Sequence, residues 1–308
     1  MTAFPHPALE GKRVLVIGAS GVLGSRVLDA LFDHNCIVRA LVGNGGRPVP
    51  VSNSKLEIAR GSLFELDTLS GALRDVDLVL HLASRIPPGL AIRTAAGWTP
   101  NDRVRDEGTL NLVHALRIQP TSSLVMATVC GSAQRPDDHW STAMSDVHAL
   151  ARSSLVAESH MEQLDGFVRW TALRFGRFVG RSIPSGKQIL DTARLGLDPF
   201  IGRPEDPLSL IHIDDAAAAV IAAAASDLNG GYAVPGCAPR GRGEVADDLR
   251  VALRKRALVR LPALLAKVML GVAYEPLCKP IEIVGTRFVT ASQWNPRHTD
   301  STAAILTD

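Results

Sequence analysis

The stretch "RVLVIGASGVLGSRVLDALFDH" at residues 13–34 constrains the fold more than any other. Residues 13–18 form a continuous apolar run ending in glycine, the pattern of a strand buried on both faces. "VLGSRVLDALFDH" follows with helical spacing. Between them stand Gly18, Gly21 and Gly24. The first glycine lets the chain reverse, the second lets a phosphate approach the backbone, and the third lets helix and strand pack closely. Unpaired N–H groups and the positive dipole end at the helix start favour an anion. A glycine triplet alone is a weak signal, and a tight turn without a ligand is its bland alternative. The strand-loop-helix context makes a dinucleotide site the stronger reading.

The same alternation continues along the chain. Further strands are expected at residues 36–42, 56–63, 77–84, 123–129 and 170–176, with helical patterns between most of them. One of these helices is "VHALARSSLVAESHMEQL", residues 147–164. Strand and helix in alternation predict an α/β fold, a Rossmann-type doubly wound parallel sheet. Beyond residue 176 the pattern loosens into loops and scattered helices. The expected division is a dinucleotide-binding domain at 1–176 and a smaller C-terminal substrate lobe at 177–308, with 208–235 returning to the main core.

Composition excludes several classes. Hydrophobic residues make up 46% of the 308, enough for a sizeable core. A formal charge of +2 gives no reason to expect nucleic acid or a membrane surface as partner. Cys36, Cys130, Cys237 and Cys278 form no CxxC pair and read as reduced thiols. The first residues lack a basic-then-apolar leader pattern, so a cytoplasmic location is expected. "AAAAVIAAAA" at 216–225 is half the ~20 residues of a membrane span and reads as a core helix. No spacing supports a metal site. A small molecule is the expected partner, with the chain as monomer or homodimer.

About 20 residues past a glycine loop, an acid on the ribose marks NAD. Residues 35–55 contain no Asp or Glu, but they do contain Arg39 and Arg47. A guanidinium pairs with a 2′-phosphate that a carboxylate would repel. NADPH/NADP is therefore the expected cofactor, with Arg39 at the phosphate and NADH as the alternative.

Taken together, "VLVIGASGVLGSRV", "VDLVLHLAS", "GTLNLVHAL", "ATVCG", "LRFGRFVG" and "LIHIDDAAAAV" resemble the extended, atypical branch of the short-chain dehydrogenase/reductase superfamily in order and spacing. The resemblance implies that Gly18, Ser20, Gly21, Val22, Leu23 and Gly24 hold the pyrophosphate. It puts Ser62 and Leu63 at the adenine, and Leu82, Ala83 and Ser84 along the cofactor. Phe175 and Gly176 fall near the nicotinamide, with Arg177 and Phe178 following.

The resemblance breaks at the catalytic positions. The family's Tyr-x-x-x-Lys lies on the helix after the fifth strand. Aligned on Glu158, those positions hold Leu150 and Ser154. The two tyrosines, Tyr232 and Tyr274, both lie far downstream. The family's upstream hydroxyl position holds Met126, with Thr128 two residues on, and Arg105 stands where the family has Asn.

Tyrosine supplies a proton as hydride arrives, a contribution of about 10²–10⁴-fold. Without it, three sources remain: His148 and Arg152 at i, i+4; a hydroxyl such as Thr128 or Ser84; or the substrate itself. A phenol beside a ketone already shares its proton with that oxygen. The chain resembles tyrosine-less ketoreductases of aromatic polyketide antibiotic pathways, such as those acting on angucyclinones. That likeness implies a polycyclic aromatic ketone as substrate. An apolar pocket for it is consistent with Met126, Phe175, Phe178 and the stretch around "LPALLAKVML", with His212 as a further candidate contact and core packing as the bland alternative. For His212, Asp214 and Asp215 the alternative is a helix N-terminus carrying acids, and His81 reads as a satisfied core histidine. The rival functions are a non-catalytic NADP-binding regulator or redox sensor, and an epimerase or dehydratase of nucleotide-sugar type.

Overall fold

The computed structural model describes residues 7–129 and 152–308. The chain runs β1 (Arg13–Ile17), α1 (Val22–Asp33), β2 (Ile37–Val42), β3 (Leu56–Arg60), α2 (Leu66–Ala72), β4 (Leu78–His81), α3 (Ala95–Arg103), α4 (Thr109–Ile118), β5 (Ser123–Val129), α5 (Arg152–Met161) and β6 (Arg169–Phe175). It continues through β7 (Arg177–Val179), α6 (Pro184–Arg194), β8 (Pro207–Leu208), β9 (Leu210–His212), α7 (Ile213–Ala224), β10 (Gly230–Ala233), β11 (Arg240–Gly241) and α8 (Arg242–Ala252). The last helices are α9 (Ala263–Leu270), α10 (Tyr274–Cys278), α11 (Thr286–Ser292) and α12 (Ser301–Leu306).

Seven strands form one sheet in the order β10-β6-β5-β4-β1-β2-β3. Every pairing in it is parallel. The strand order reverses between β1 and β4, and the ligand crevice of such sheets opens beyond the strand ends at that point. One sheet face packs Val14, Val16, Val125, Leu173 and Phe175 against α1 and α7. The other packs Leu15, Val79, Leu124, Met126 and Ala172 against α2, α4 and α5. Strand side chains alternate between faces, which is why adjacent residues such as Val125 and Met126 serve different cores.

The alanine run forms α7, which is buried along most of its length. Its small side chains let it pack beside α1 over the sheet. The strand after it, β10, then joins the sheet next to β6. A separate core gathers Val179, Ile189, Leu190, Phe200, Leu210, Val245, Leu249 and Ile305 from α6, α8, α12 and the short strands. By contrast, "ALLAKVML" in α9 buries only Ala266, and Leu264 is 77% exposed. Its first residue, Ala263, lines a cavity of about 400 Å³ that Leu261 also borders. Among the described residues no helix is long and apolar enough to cross a membrane.

Candidate active site

Gly18 lies between β1 and α1 with φ +93°. A Cβ there would stand 2.6 Å from the Ala83 nitrogen, and one on Gly24 would stand 2.1 Å from the Gly18 oxygen. Only glycine fits these contacts, so the loop lies flat against the segment after β4. Gly21 caps α1 without a side-chain hydrogen bond, and the first turn carries no acid. Ser20 is half-buried, while Gly21 and Val22 are exposed. Leu23 is buried beneath them. This cradle fits a pyrophosphate: backbone close approach, free helix N–H groups and no opposing carboxylate. Leu82 and Ala83 face the loop, and Ser84 is exposed just beyond. Leu63 is buried, and its carbonyl accepts from Asn111 Nδ2 at 3.0 Å. Ser62 Oγ accepts from the Phe64 amide at 3.2 Å.

The Arg39 guanidinium is engaged inside the fold. It sits inside β2, three residues before the strand ends, with a side chain only 15% exposed. Its Nε donates to Glu57 at 3.0 Å, and Nη1 donates to the Ala72 carbonyl at 2.9 Å and the Arg74 carbonyl at 2.6 Å. These bonds hold β3 and the end of α2 together. The arginines at the ligand end of these strands are Arg47, exposed in the loop after β2, and Arg60, exposed and paired in register with Val42.

Met126, Phe175 and Phe178 do not line one pocket. Met126 is 2% exposed and lies in the core on the α4/α5 face. Phe175 is 1% exposed on the opposite face, with its ring edge-on to Phe178 at 5.4 Å. Phe178 remains half-buried. At Gly176 an added Cβ would meet the Ser209 carbonyl at 2.6 Å, so this glycine seats β6 against the β9 segment. His212 is fully buried and presents no surface to a ligand in this structure. Its Nδ1 accepts from the Asp214 amide at 3.3 Å as the N-cap of α7, and its ring stacks on His298 at 3.8 Å. Asp215 in turn accepts from the His298 amide at 2.8 Å. Burial first, then the neighbouring His298, lowers the His212 pKa.

At the catalytic end the structure builds a buried polar layer. Leu150, His148 and Cys130 lie outside the described residues. Ser154 is 2% exposed on α5, and Arg152 is exposed. Thr128, 2% exposed, donates at 3.3 Å to the Leu173 carbonyl and lies 3.5 Å from Glu158. In this structure its proton is used inside the protein. Glu158 accepts from Arg174 Nε at 2.9 and 3.1 Å. Arg105 sits on a π-turn, Val104–Gly108, and donates to the Ser154 hydroxyl. Burial brings the Arg105 pKa down to about 10, with Glu158 and Asp102 acting in the opposite direction.

His81 ends β4, 2% exposed. Burial and the Arg105 charge push its imidazole down to about 4. It is not fully satisfied: Nε2 lies 3.5 Å from Thr109 Oγ1, and Nδ1 has no partner. Neither tyrosine reaches this layer. Tyr232 is in β10, with Arg287 stacked on its ring at 4.1 Å. Tyr274 is on α10, beside a 400 Å³ cavity that Asp198, Arg260 and Cys278 also line. The Arg105–Ser154 and Glu158–Arg174 pairs escaped sequence reasoning. The double departure, Arg for Asn and Ser for Lys, was the available signal. Among the described residues no cluster could hold a metal.

A parallel sheet with this glycine cradle at its switch point defines a Rossmann-type dinucleotide-binding protein. Residues 18–227 match the family described as NAD(P)H-binding. The chain belongs to that family. It is similar to a 3-diazoavenalumate denitrifying reductase of a Streptomyces species, 28% identical over 93% of this chain and 96% of that one. It is also similar to the ketoreductase adrE of Penicillium rubens, 29% identical over 40% of this chain and 38% of that one. Among solved structures, the epimerase Mth375 of Methanothermobacter thermautotrophicus superposes with a TM-score of 0.76. It is 14% identical, over 98% of this chain and 92% of that one, a likeness of fold.

Proposed function

We propose that this NAD(P)H-dependent oxidoreductase is a ketoreductase that delivers hydride to a carbonyl of a polycyclic aromatic polyketide, of angucyclinone type. The observation that carries the reading is the missing acid. Position 154 holds serine, Thr128 is committed to Leu173, and both tyrosines are elsewhere. The bound nicotinamide supplies the hydride. The cradle at residues 18–24 orients that cofactor, and the buried layer beneath β4 and β5 excludes water from the reacting face. A phenol beside the ketone then supports the developing alkoxide through its own proton. The full-length similarity to a reductase and the partial similarity to a ketoreductase favour reduction over epimerisation. NADPH is the preferred donor, with Arg47 and Arg60 rather than Arg39 meeting the 2′-phosphate.

A second reading draws on the relative named for a diazo substrate. Hydride delivered to an electrophilic nitrogen on an aromatic ring also needs no tyrosine to protonate oxygen.

The test uses NADPH deuterated on one face of C4 with polycyclic ketones paired with and without a neighbouring phenolic hydroxyl. Label transfer restricted to the hydroxyl-bearing members is the expected result. Equal transfer to both members moves the acid to the protein, with Ser84 first for substitution. NADPH binding with no transfer to any ketone overturns the reading in favour of a regulator or a different acceptor.

A further inference from the structure

Three of the buried polar atoms without a hydrogen-bond partner are His81 Nδ1, Arg105 Nε and Ser153 Oγ. His81 and Arg105 are electrostatic neighbours, and Ser153 adjoins the Ser154 that Arg105 bonds. Burying such atoms unpaired costs about 1–3 kcal/mol each, more for a charged group. A full guanidinium held in this layer, 7% exposed, is therefore expensive unless it works. It also sits on a π-turn, a local irregularity that occurs often at functional sites.

Position matters as much as burial. The glycine cradle lies beyond β1, and the sheet runs from there through β4 to β5 and β6 in one direction and β2 to β3 in the other. A dinucleotide laid across the switch point puts its adenosine half toward β2 and its other half toward β4 and β5. Arg105 and Ser154 lie on that second side, with the guanidinium between the π-turn and α5. The position that would carry the family's lysine holds a short hydroxyl, and the position that would carry its asparagine holds arginine. Arg105 points its charge at that hydroxyl from the neighbouring element.

We infer that Arg105 is a cation relocated across the site: its guanidinium, braced by Ser154, holds the hydroxyl-bearing nicotinamide-ribose half of the bound dinucleotide in place of a lysine on α5. Glu158 favours the charged form of Arg105 while also pairing with Arg174, so the layer keeps a net positive charge of the kind an anionic dinucleotide attracts. A planar guanidinium suits this task because it can donate to Ser154 through one nitrogen and to a ligand through another. The inference needs the dinucleotide site of the family and not the polyketide substrate, so either can fail while the other stands.

The experiment is a double-mutant cycle read by ligand binding. Wild type, Arg105→Asn, Ser154→Lys and the double variant are titrated with NADPH and with 2′,5′-ADP, which lacks the nicotinamide-ribose half. Arg105→Asn is expected to weaken NADPH by roughly 10- to 100-fold, the value of a charged hydrogen bond. Its 2′,5′-ADP affinity should stay within about twofold of wild type. Ser154→Lys alone places two cations together and should lower the melting temperature and weaken NADPH. The double variant returns one cation to the layer and should recover NADPH binding to within a few-fold of wild type. Equal weakening of both ligands by Arg105→Asn, no weakening of either, or a double variant no better than the worse single overturns the inference. If Arg105→Asn does not fold, the double variant and Arg105→Lys decide alone. Recovery of selective NADPH binding in the double, with partial retention in Arg105→Lys, supports the relocated cation, and loss in both overturns it.

Discussion

Gly18 lies against Ala83 so closely that a Cβ on it would stand 2.6 Å from the Ala83 nitrogen and 2.7 Å from its Cα. The φ of +93° adds a second penalty for any other residue. Gly18→Ala should therefore push the loop away from the segment after β4. The expected result is NADPH binding weaker by about tenfold or more, with about 1–2 kcal/mol of strain lowering stability. Fluorescence titration with NADPH and urea unfolding read the two effects. Unchanged affinity would show that the cradle is not the pyrophosphate seat.

Arg39 and Arg47 make opposite predictions. Arg39→Met removes donors from Glu57 and two carbonyls, so it should destabilise the sheet edge. It should leave the ratio of NADPH to NADH dissociation constants within about twofold. Arg47→Ala should leave stability nearly unchanged and lower the preference for NADPH by about tenfold, the loss of one charged contact. The paired dissociation constants decide. A preference that follows Arg39 would return the phosphate to it.

Acid should destabilise the fold through His81. Burial and Arg105 depress its pKa from 6.5 to about 4, so the unfolded chain binds the extra proton between those values. Stability from this group is therefore complete above pH 6.5 and is lost as pH falls toward 4. The interval corresponds to about 3 kcal/mol. Urea unfolding at pH 7 and pH 4.5 should show a smaller pH effect in His81→Asn than in wild type. His212, depressed in the same direction, contributes to both proteins and cancels in the comparison. Equal pH slopes would mean that His81 titrates normally.

The Glu158–Arg174 pair has side chains 7% and 11% exposed. Glu158→Gln takes the anionic partner from a buried guanidinium and should cost about 3–5 kcal/mol. Adding Arg174→Met to that variant should recover part of the loss, because the buried positive charge goes with it. Chemical denaturation of the three proteins measures the coupling. A loss under about 0.5 kcal/mol in Glu158→Gln would show that water already reaches the pair.

Much of the architecture was legible because it follows from local rules. The apolar runs at β1, β2 and β5 are buried by their own composition, and the glycine triplet permits only a tight strand-to-helix turn. The alanine run of α7 announced a core helix through its lack of charge. The sites were less legible because side-chain direction depends on partners distant in sequence. Arg39 read as a phosphate ligand from spacing alone, but Glu57 and the end of α2 take its guanidinium. His212 read as a substrate contact, but α7 uses it as a cap.

By itself the sequence determined the parallel sheet, the phosphate cradle and the absence of the tyrosine and lysine, since these depend on residue type and order. Tertiary structure decided which face each side chain joins. Strand alternation separates Met126 from Phe175 and Phe178, and register puts Thr128 over the Leu173 carbonyl. Tertiary structure also brought Arg105 to Ser154 across 49 residues. A buried guanidinium takes the partner that packing leaves within reach, and only the folded chain sets that distance.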